Sequence, residues 1–239
     1  MGEFIKGIPV IFENDSCVIF NKPPGLSVQG GKGIGVSLDS IISENIDPRP
    51  FLVHRLDRDT SGVILIAKTK ESAALFSALF ASKQMNKRYL GVCSGIPETE
   101  TGVIRLDLEF AARSRTKSHA GERISKKSET FFKSLGIGQS MDDSFSLLEI
   151  ELGTGRMHQI RRHLFLIKHP LLGDDKYGDF PLNKKLRKTM GLKNLLLHAS
   201  ALTIPPMQDL PAGLHVSAPL PDFFSGFIAA AFSKPLTGT

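Results

Sequence analysis

Cysteine is scarce: among 239 residues there are two, Cys17 and Cys93. Both lie in apolar runs that read as strands, which excludes a disulfide framework or a zinc cluster and predicts buried free thiols. No apolar run approaches the roughly 20 residues needed to cross a bilayer, and the N-terminus lacks the apolar core of a signal peptide, so a reducing cytoplasm is the expected location. Internal repeats, low-complexity tracts and Ser/Pro-rich linkers are also missing. One domain spanning residues 1–239 is the simplest reading.

Several familiar chemistries lack their spacing. Gly30-Gly31-Lys32-Gly33-Ile34-Gly35 resembles a phosphate loop but fits neither the Walker nor the dinucleotide pattern, and no strand runs straight into it. A flexible loop near a substrate is expected instead. His158, His163 and His169 miss the four-residue repeat that places two metal ligands on one helix face. Ser61 precedes Gly62 without a G-x-S-x-G elbow, so serine hydrolase chemistry has no support.

What is present is an ordinary globular composition, 41% hydrophobic and 23% charged, which predicts a compact fold with a substantial core. Lys plus Arg outnumber Asp plus Glu by 30 to 24, for a formal charge of +6. That excess favours a polyanionic partner, and its distribution sharpens the point. Arg113, Arg115, Lys117, Arg123, Lys126 and Lys127 crowd Ala111 to Lys127 against one acid, Glu122. Asn183 to Lys193 carries Lys184, Lys185, Arg187, Lys188 and Lys193 with no acid. Each stretch reads either as a phosphate grip or as a solvated surface loop.

Periodicity places the elements. Pro9 to Asn21 predicts a hairpin turning at Asn14-Asp15, and Leu38, Ile41, Ile42 and Ile46 recur at helical spacing until Asp47-Pro48. Gly62 to Lys68 reads as a buried strand, and Thr69 as the cap of a helix whose core face is Leu75, Phe76, Leu79 and Phe80. Further strands are expected at Lys87–Cys93, Gly102–Phe110, Glu129–Leu135, Phe145–Leu152, Leu195–Ile204 and Leu214–Ser217. Met157, Ile160, Leu164 and Ile167 form a helical stripe with Thr154 as a plausible cap, and Asp222 to Phe232 gives a terminal helix. The fold class is α+β, a mainly antiparallel mixed β-sheet flanked by helices.

The unusual segment is His54-Arg55-Leu56-Asp57-Arg58-Asp59-Thr60-Ser61-Gly62, where ionisable side chains gather just before an apolar strand. Surface ion pairs and an Asp-Thr-Ser-Gly turn would account for it structurally. In an extended segment Asp57 and Asp59 share a face, so spacing does not choose between them. Arg156 stands at the start of the predicted 157–167 helix, where a cation opposes the dipole unless an anion is held against it. A buried aspartate paired with such an arginine would stay ionised and usable as a nucleophile.

Taken in order, these segments resemble the RluA family of pseudouridine synthases. The motifs are Asn21-Lys22-Pro23-Pro24-Gly25, His54 to Gly62, Lys87-Arg88-Tyr89-Leu90, Thr154 to Arg161, Gly173 to Gly178 and Leu197-His198-Ala199. Met157 stands where the family more often has threonine or serine. Gly121-Glu122-Arg123 with Ser128-Glu129-Thr130, Val28 to Gly31 and Met85-Asn86-Lys87 are most similar to the RluC branch, which modifies large-subunit ribosomal RNA. Members of that branch often carry a small N-terminal RNA-binding domain, for which there is no room before Phe12.

The resemblance implies the pseudouridine synthase fold and isomerisation of uridine in RNA without a cofactor or metal. Catalytic roles would fall to Asp57, Tyr89 and Arg156, with Arg156 pairing Asp57 and Tyr89 stacking on the uracil. Arg55 would fill the gap left by the flipped base, while Lys22, His54, Arg58 and Thr60 would contact substrate. The implied partner is RNA, ribosomal or alternatively transfer RNA, with no membrane and the protein a monomer. Two other readings compete: a glycosidase using Asp57 with a second carboxylate, which lacks a second acidic motif, and a non-catalytic RNA-binding or ribosome-assembly protein.

Overall fold

Three strands open the chain in a computed structural model that describes residues 4–31, 33, 35–111 and 123–232: Phe4–Ile5 (β1), Ile8–Glu13 (β2) and Cys17–Lys22 (β3). β2 and β3 form the expected hairpin, and Asn14 closes its turn by accepting the N–H groups of Ser16 (3.0 Å) and Cys17 (2.9 Å). Leu38–Asn45 (α1) starts in a capping box between Ser37 and Ser40. Phe51–Leu52 (β4) and Ser61–Ala67 (β5) follow, then Lys70–Ala81 (α2), whose cap is Thr69 as its sequence predicts.

Asn86–Ser94 (β6) matches its expected strand, whereas Gly102–Phe110 divides into Thr101–Arg105 (β7) and Leu108–Ala111 (β8). β7 ends the main sheet, and β8 pairs Arg123–Lys126 (β9) in a separate ribbon. Glu129–Ser140 (β10) continues past the expected Leu135 through a register shift between Ser134 and Gly136, paired with Asp143–Leu152 (β11). Gln159–Leu166 (α3), Phe180–Thr189 (α4), Leu197–Ile204 (β12), Leu214–Ser217 (β13) and Asp222–Ala231 (α5) complete the described elements.

α4 is a correction. The basic stretch around it hides the apolar spacing Leu182, Leu186, Met190, and this face packs into the core beside Phe224 and Phe227 of α5. Its cations are therefore on a helix, not a loop, and Lys185 is paired with Asp143 at 2.7 Å. Arg113, Arg115 and Lys117 of the other basic stretch lie outside the described residues, as do Lys32 and Ile34 of the glycine-rich loop.

The strand order is β1-β2-β3-β5-β12-β6-β11-β10-β7, and the β5–β12 contact at its centre is parallel. β5 is buried on both faces. Ile64 and Ile66 point to one core cluster, shared with α1 and with Ile160 and Leu164 of α3, while Val63, Leu65 and Ala67 point to another, shared with Phe76 of α2. The α1/α3 face also receives Leu56 and Tyr89, so the segment preceding β5 and the middle of β6 converge there. Cys17 and Cys93 are buried free thiols, each pushed up to about 12 by burial. Among the described residues no helix is long and apolar enough to cross a membrane.

One strand fixes the spacing between Asp57 and Tyr89. Ala199 of β12 pairs with Gly62 on one side and Tyr89 on the other. Gly62 has φ +108°, and a Cβ there would collide with the backbone of Ala199, so no other residue permits this approach. Beside it the Ser61 hydroxyl donates to His198 Nδ1 (2.9 Å), whose Nε2–H donates to the Ala218 carbonyl (3.2 Å). Ser61 and His198 are both fully buried, so this pair sets the parallel register and takes no part in surface chemistry.

Candidate active site

Leu56 anchors the 53–60 segment in the core, and the Thr60 N–H donates to the Asp57 carbonyl (3.2 Å), closing a turn that presents the Asp57 side chain, 21% exposed. Asp57 lines a cleft of about 460 Å³ together with Arg55, Leu56, Arg58, His158, Ser27, Val28 and the glycine-rich loop at Gly33 and Gly35. Gly33 and Gly35 of the loop expected near the substrate thus lie on the cleft wall.

The guanidinium that faces Asp57 belongs to Arg161, not Arg156. Arg161 Nη1 lies 4.0 Å from Asp57 Oδ2, and His158 Nε2 lies 3.8 Å from Oδ1. Arg156 is exposed, and its N–H donates to Gln159 Oε1 (3.0 Å). The cause of the difference is the helix start: α3 begins at Gln159, after His158 in a left-handed conformation, rather than near Met157. Thr154 is not its cap; the Thr154 hydroxyl donates to Gln159 Oε1 (2.7 Å) and accepts from the Glu129 N–H.

Arg161 is itself held by a carboxylate. Its Nε and Nη2 donate to the two oxygens of Asp174, each at 2.7 Å, and Nη2 also reaches Asp175 at 3.1 Å. Asp174 is 1% exposed and further accepts the N–H groups of Lys176 and Tyr177 (2.9 Å each). Burial pushes the Asp174 carboxyl up, but the bonds from Arg161 and the two N–H groups outweigh it and hold the carboxyl below its usual range. Burial likewise works against the charge on Arg161, and Asp174 and Asp57 overcome it. A bidentate fork fixes the guanidinium plane and leaves Nη1 to face Asp57.

Tyr89 is beside this centre but covered, at 4% exposure. Burial, reinforced by the Asp57 charge, pushes its hydroxyl well up, so it is a neutral phenol. Arg55 and Arg58 are exposed on the cleft wall, with Arg58 Nε donating to the Gly25 carbonyl (3.1 Å).

Three expected substrate contacts prove to be internal. Lys22 is fully buried and donates to the carbonyls of Pro23 (2.8 Å), Leu26 (2.9 Å) and Arg58 (3.0 Å), which binds the first motif to the Asp57 turn. Burial lowers it to about 7, opposed by Asp59 and Asp57. His54 Nε2 accepts the Leu65 N–H (2.9 Å) and its ring packs on Phe80 (centroids 4.6 Å apart), so it braces β5. Thr60, 2% exposed, belongs to the turn rather than the cleft wall.

Arg161, Asp174, His158 and Tyr177 all lie within the family-like motifs, but their charge and spacing alone give no sign that they meet at Asp57. The histidine series has separate partners: His158 meets Tyr177, His163 lies between Thr130 and the Leu106 carbonyl, and His169 meets the Ser94 carbonyl.

Comparison with known proteins agrees with this architecture. A family model described as RNA pseudouridylate synthase matches residues 16–165. A ribosomal large subunit pseudouridine synthase C of Rickettsia felis is 35% identical over 219 residues, covering 90% of this chain and 68% of that protein. A tRNA pseudouridine synthase C of Haemophilus ducreyi is 31% identical over 205 residues, 82% of this chain and 84% of that one. The solved structure of human RNA pseudouridylate synthase domain containing 4 superposes with a TM-score of 0.72 at 26% identity, over 92% of this chain and 91% of that chain.

Proposed function

The chain belongs to the RNA pseudouridylate synthase family, in its RluA group and matching the RluC branch, and from that premise we propose that it isomerises uridines of large-subunit ribosomal RNA with Asp57 as the reacting carboxylate. The observation that carries the assignment of Asp57 is its position. It is the carboxylate that lines the cleft and faces a guanidinium locked from behind by a second, buried acid.

Isomerisation needs a group that meets positive charge at the ribose C1′ while the base is detached, as carboxylates do in glycoside hydrolysis. Arg161 sets a positive charge 4.0 Å from the Asp57 carboxylate. The uridine must flip out of its stack to reach the cleft, at a cost of a few kcal/mol. Arg55, exposed on the wall, would fill the gap. Tyr89 would stack on the uracil, and its covered state means that admission of the base has to expose the ring. The cations Arg58 and Arg156 would hold phosphates in a grip that weakens with salt.

The test is site-resolved mapping of pseudouridine in RNA from cells with and without the gene. Loss of one or a few large-subunit sites, restored by the wild-type gene and not by Asp57→Asn, is the expected result. Losses confined to transfer RNA would reassign the substrate, and no loss at all would reject the function.

A further inference from the structure

Resting on that reading of the reaction, we propose that His158 is a further catalytic residue, the base that removes the C5 proton of uracil once C5 has bonded to the ribose. Its backbone is the first indication. His158 has φ 53° and ψ 29°, a left-handed conformation that is uncommon and costly for a residue with a Cβ. Although it is the residue preceding α3, its side chain makes no capping bond; Gln159 Oε1 serves the Arg156 N–H instead. The ring is thereby free of the helix cap and lines the cleft together with Asp57.

The two ring nitrogens have different surroundings. Nδ1 is 3.2 Å from the Tyr177 hydroxyl, and the two rings meet edge to face with centroids 5.7 Å apart. Nε2 is 3.8 Å from Asp57 Oδ1, beyond hydrogen-bond reach. When Nδ1–H donates to Tyr177, Nε2 carries an unshared lone pair beside Asp57 at the cleft that both residues line. The charged and titratable groups around the ring are Asp57 from the turn, Arg161 on α3, and Asp174, Lys176 and Tyr177 from the following segment. Burial and the cations lower its proton affinity while Asp57 and Asp174 oppose them, with a net lowering that keeps the imidazole neutral at neutral pH.

The proton balance is closed. After C5 bonds to C1′, the C5–H bond breaks and its electron pair restores the C5–C6 double bond. The C6–N1 pair moves onto N1, which takes a proton from water. Nε2 receives the C5 proton and returns it to water, so nothing is consumed. During the step the imidazolium stands against the Asp57 carboxylate, which favours its formation.

Large-subunit RNA transcripts carrying hydrogen or deuterium at uracil C5 test this. His158→Asn is the chosen variant, since asparagine accepts the left-handed conformation but cannot serve as the base. We expect kcat to fall by about 10²–10⁴, the usual contribution of a general base, with RNA affinity retained. A deuterium isotope effect larger than that of the wild type should accompany the fall, and free imidazole should restore part of the rate of His158→Ala. A slow His158→Asn with no added isotope effect, or no rescue, would show a positioning role and overturn the proposal; so would an unslowed variant. No product from wild-type protein would instead overturn the reading of the reaction itself.

Discussion

Asp174 grips Arg161 through two bonds of 2.7 Å, and that grip leaves Arg161 Nη1 4.0 Å from the Asp57 carboxylate. The acid that orients the site is thus more deeply buried than the acid that faces the cleft. Removing it should strand a buried guanidinium. Asp174→Ala is expected to lose roughly 3–5 kcal/mol of stability, the cost of breaking a buried ion pair by removing one partner. Denaturant unfolding measures this, and a loss under 1 kcal/mol would contradict it.

Lys22 gives a prediction in pH. Its folded value of about 7 lies below the ordinary 10.5, so between these values the unfolded chain binds more protons and stability from this group rises with pH. The wild type should therefore gain stability relative to Lys22→Met as pH rises from about 7 towards 10, by at most about 1.4 kcal/mol per pH unit. The variant should be less stable throughout, since three carbonyls lose their donor. Paired unfolding curves across that range check the slope.

Gly62→Ala should be disproportionately harmful. The new methyl meets the Ala199 backbone at a position with φ +108°, and two rigid strands must separate to admit it. Overpacking and strain together predict a loss of roughly 2–5 kcal/mol, with activity falling because Asp57 and Tyr89 share that register. A thermal melt within a few degrees of wild type would refute the register argument.

Arg55→Ala and Arg58→Ala should weaken RNA binding without altering the fold. If either contacts one phosphate, the slope of log affinity against log salt should become shallower by about 0.7–0.9. Salt titrations of binding read this directly, and an unchanged slope would remove that residue from the phosphate grip.

Local signals were legible where one rule decided the outcome. The Asn14 turn, the Thr69 cap and the two-sided apolar run of β5 each followed from neighbouring residues alone. The motif around Asp57 stood out because charges crowd the approach to a buried strand. The partner of Asp57 did not, because choosing Arg161 over Arg156 depends on a helix that starts after a left-handed histidine, a conformation with no clear sequence mark. The family resemblance points Lys22 and His54 towards substrate, yet the carbonyls of Pro23, Leu26 and Arg58 and the Leu65 N–H that claim them come from chain crossings visible in three dimensions. α4 was obscured for the same reason, its three apolar residues being outnumbered by cations.

The most direct test of the central claim is a single-turnover assay of pseudouridine formation with Asp57→Asn, run beside an RNA-binding titration. Binding within a few-fold of wild type with no detectable product is the predicted result. Product formed by Asp57→Asn at the wild-type rate would contradict the assignment of this carboxylate.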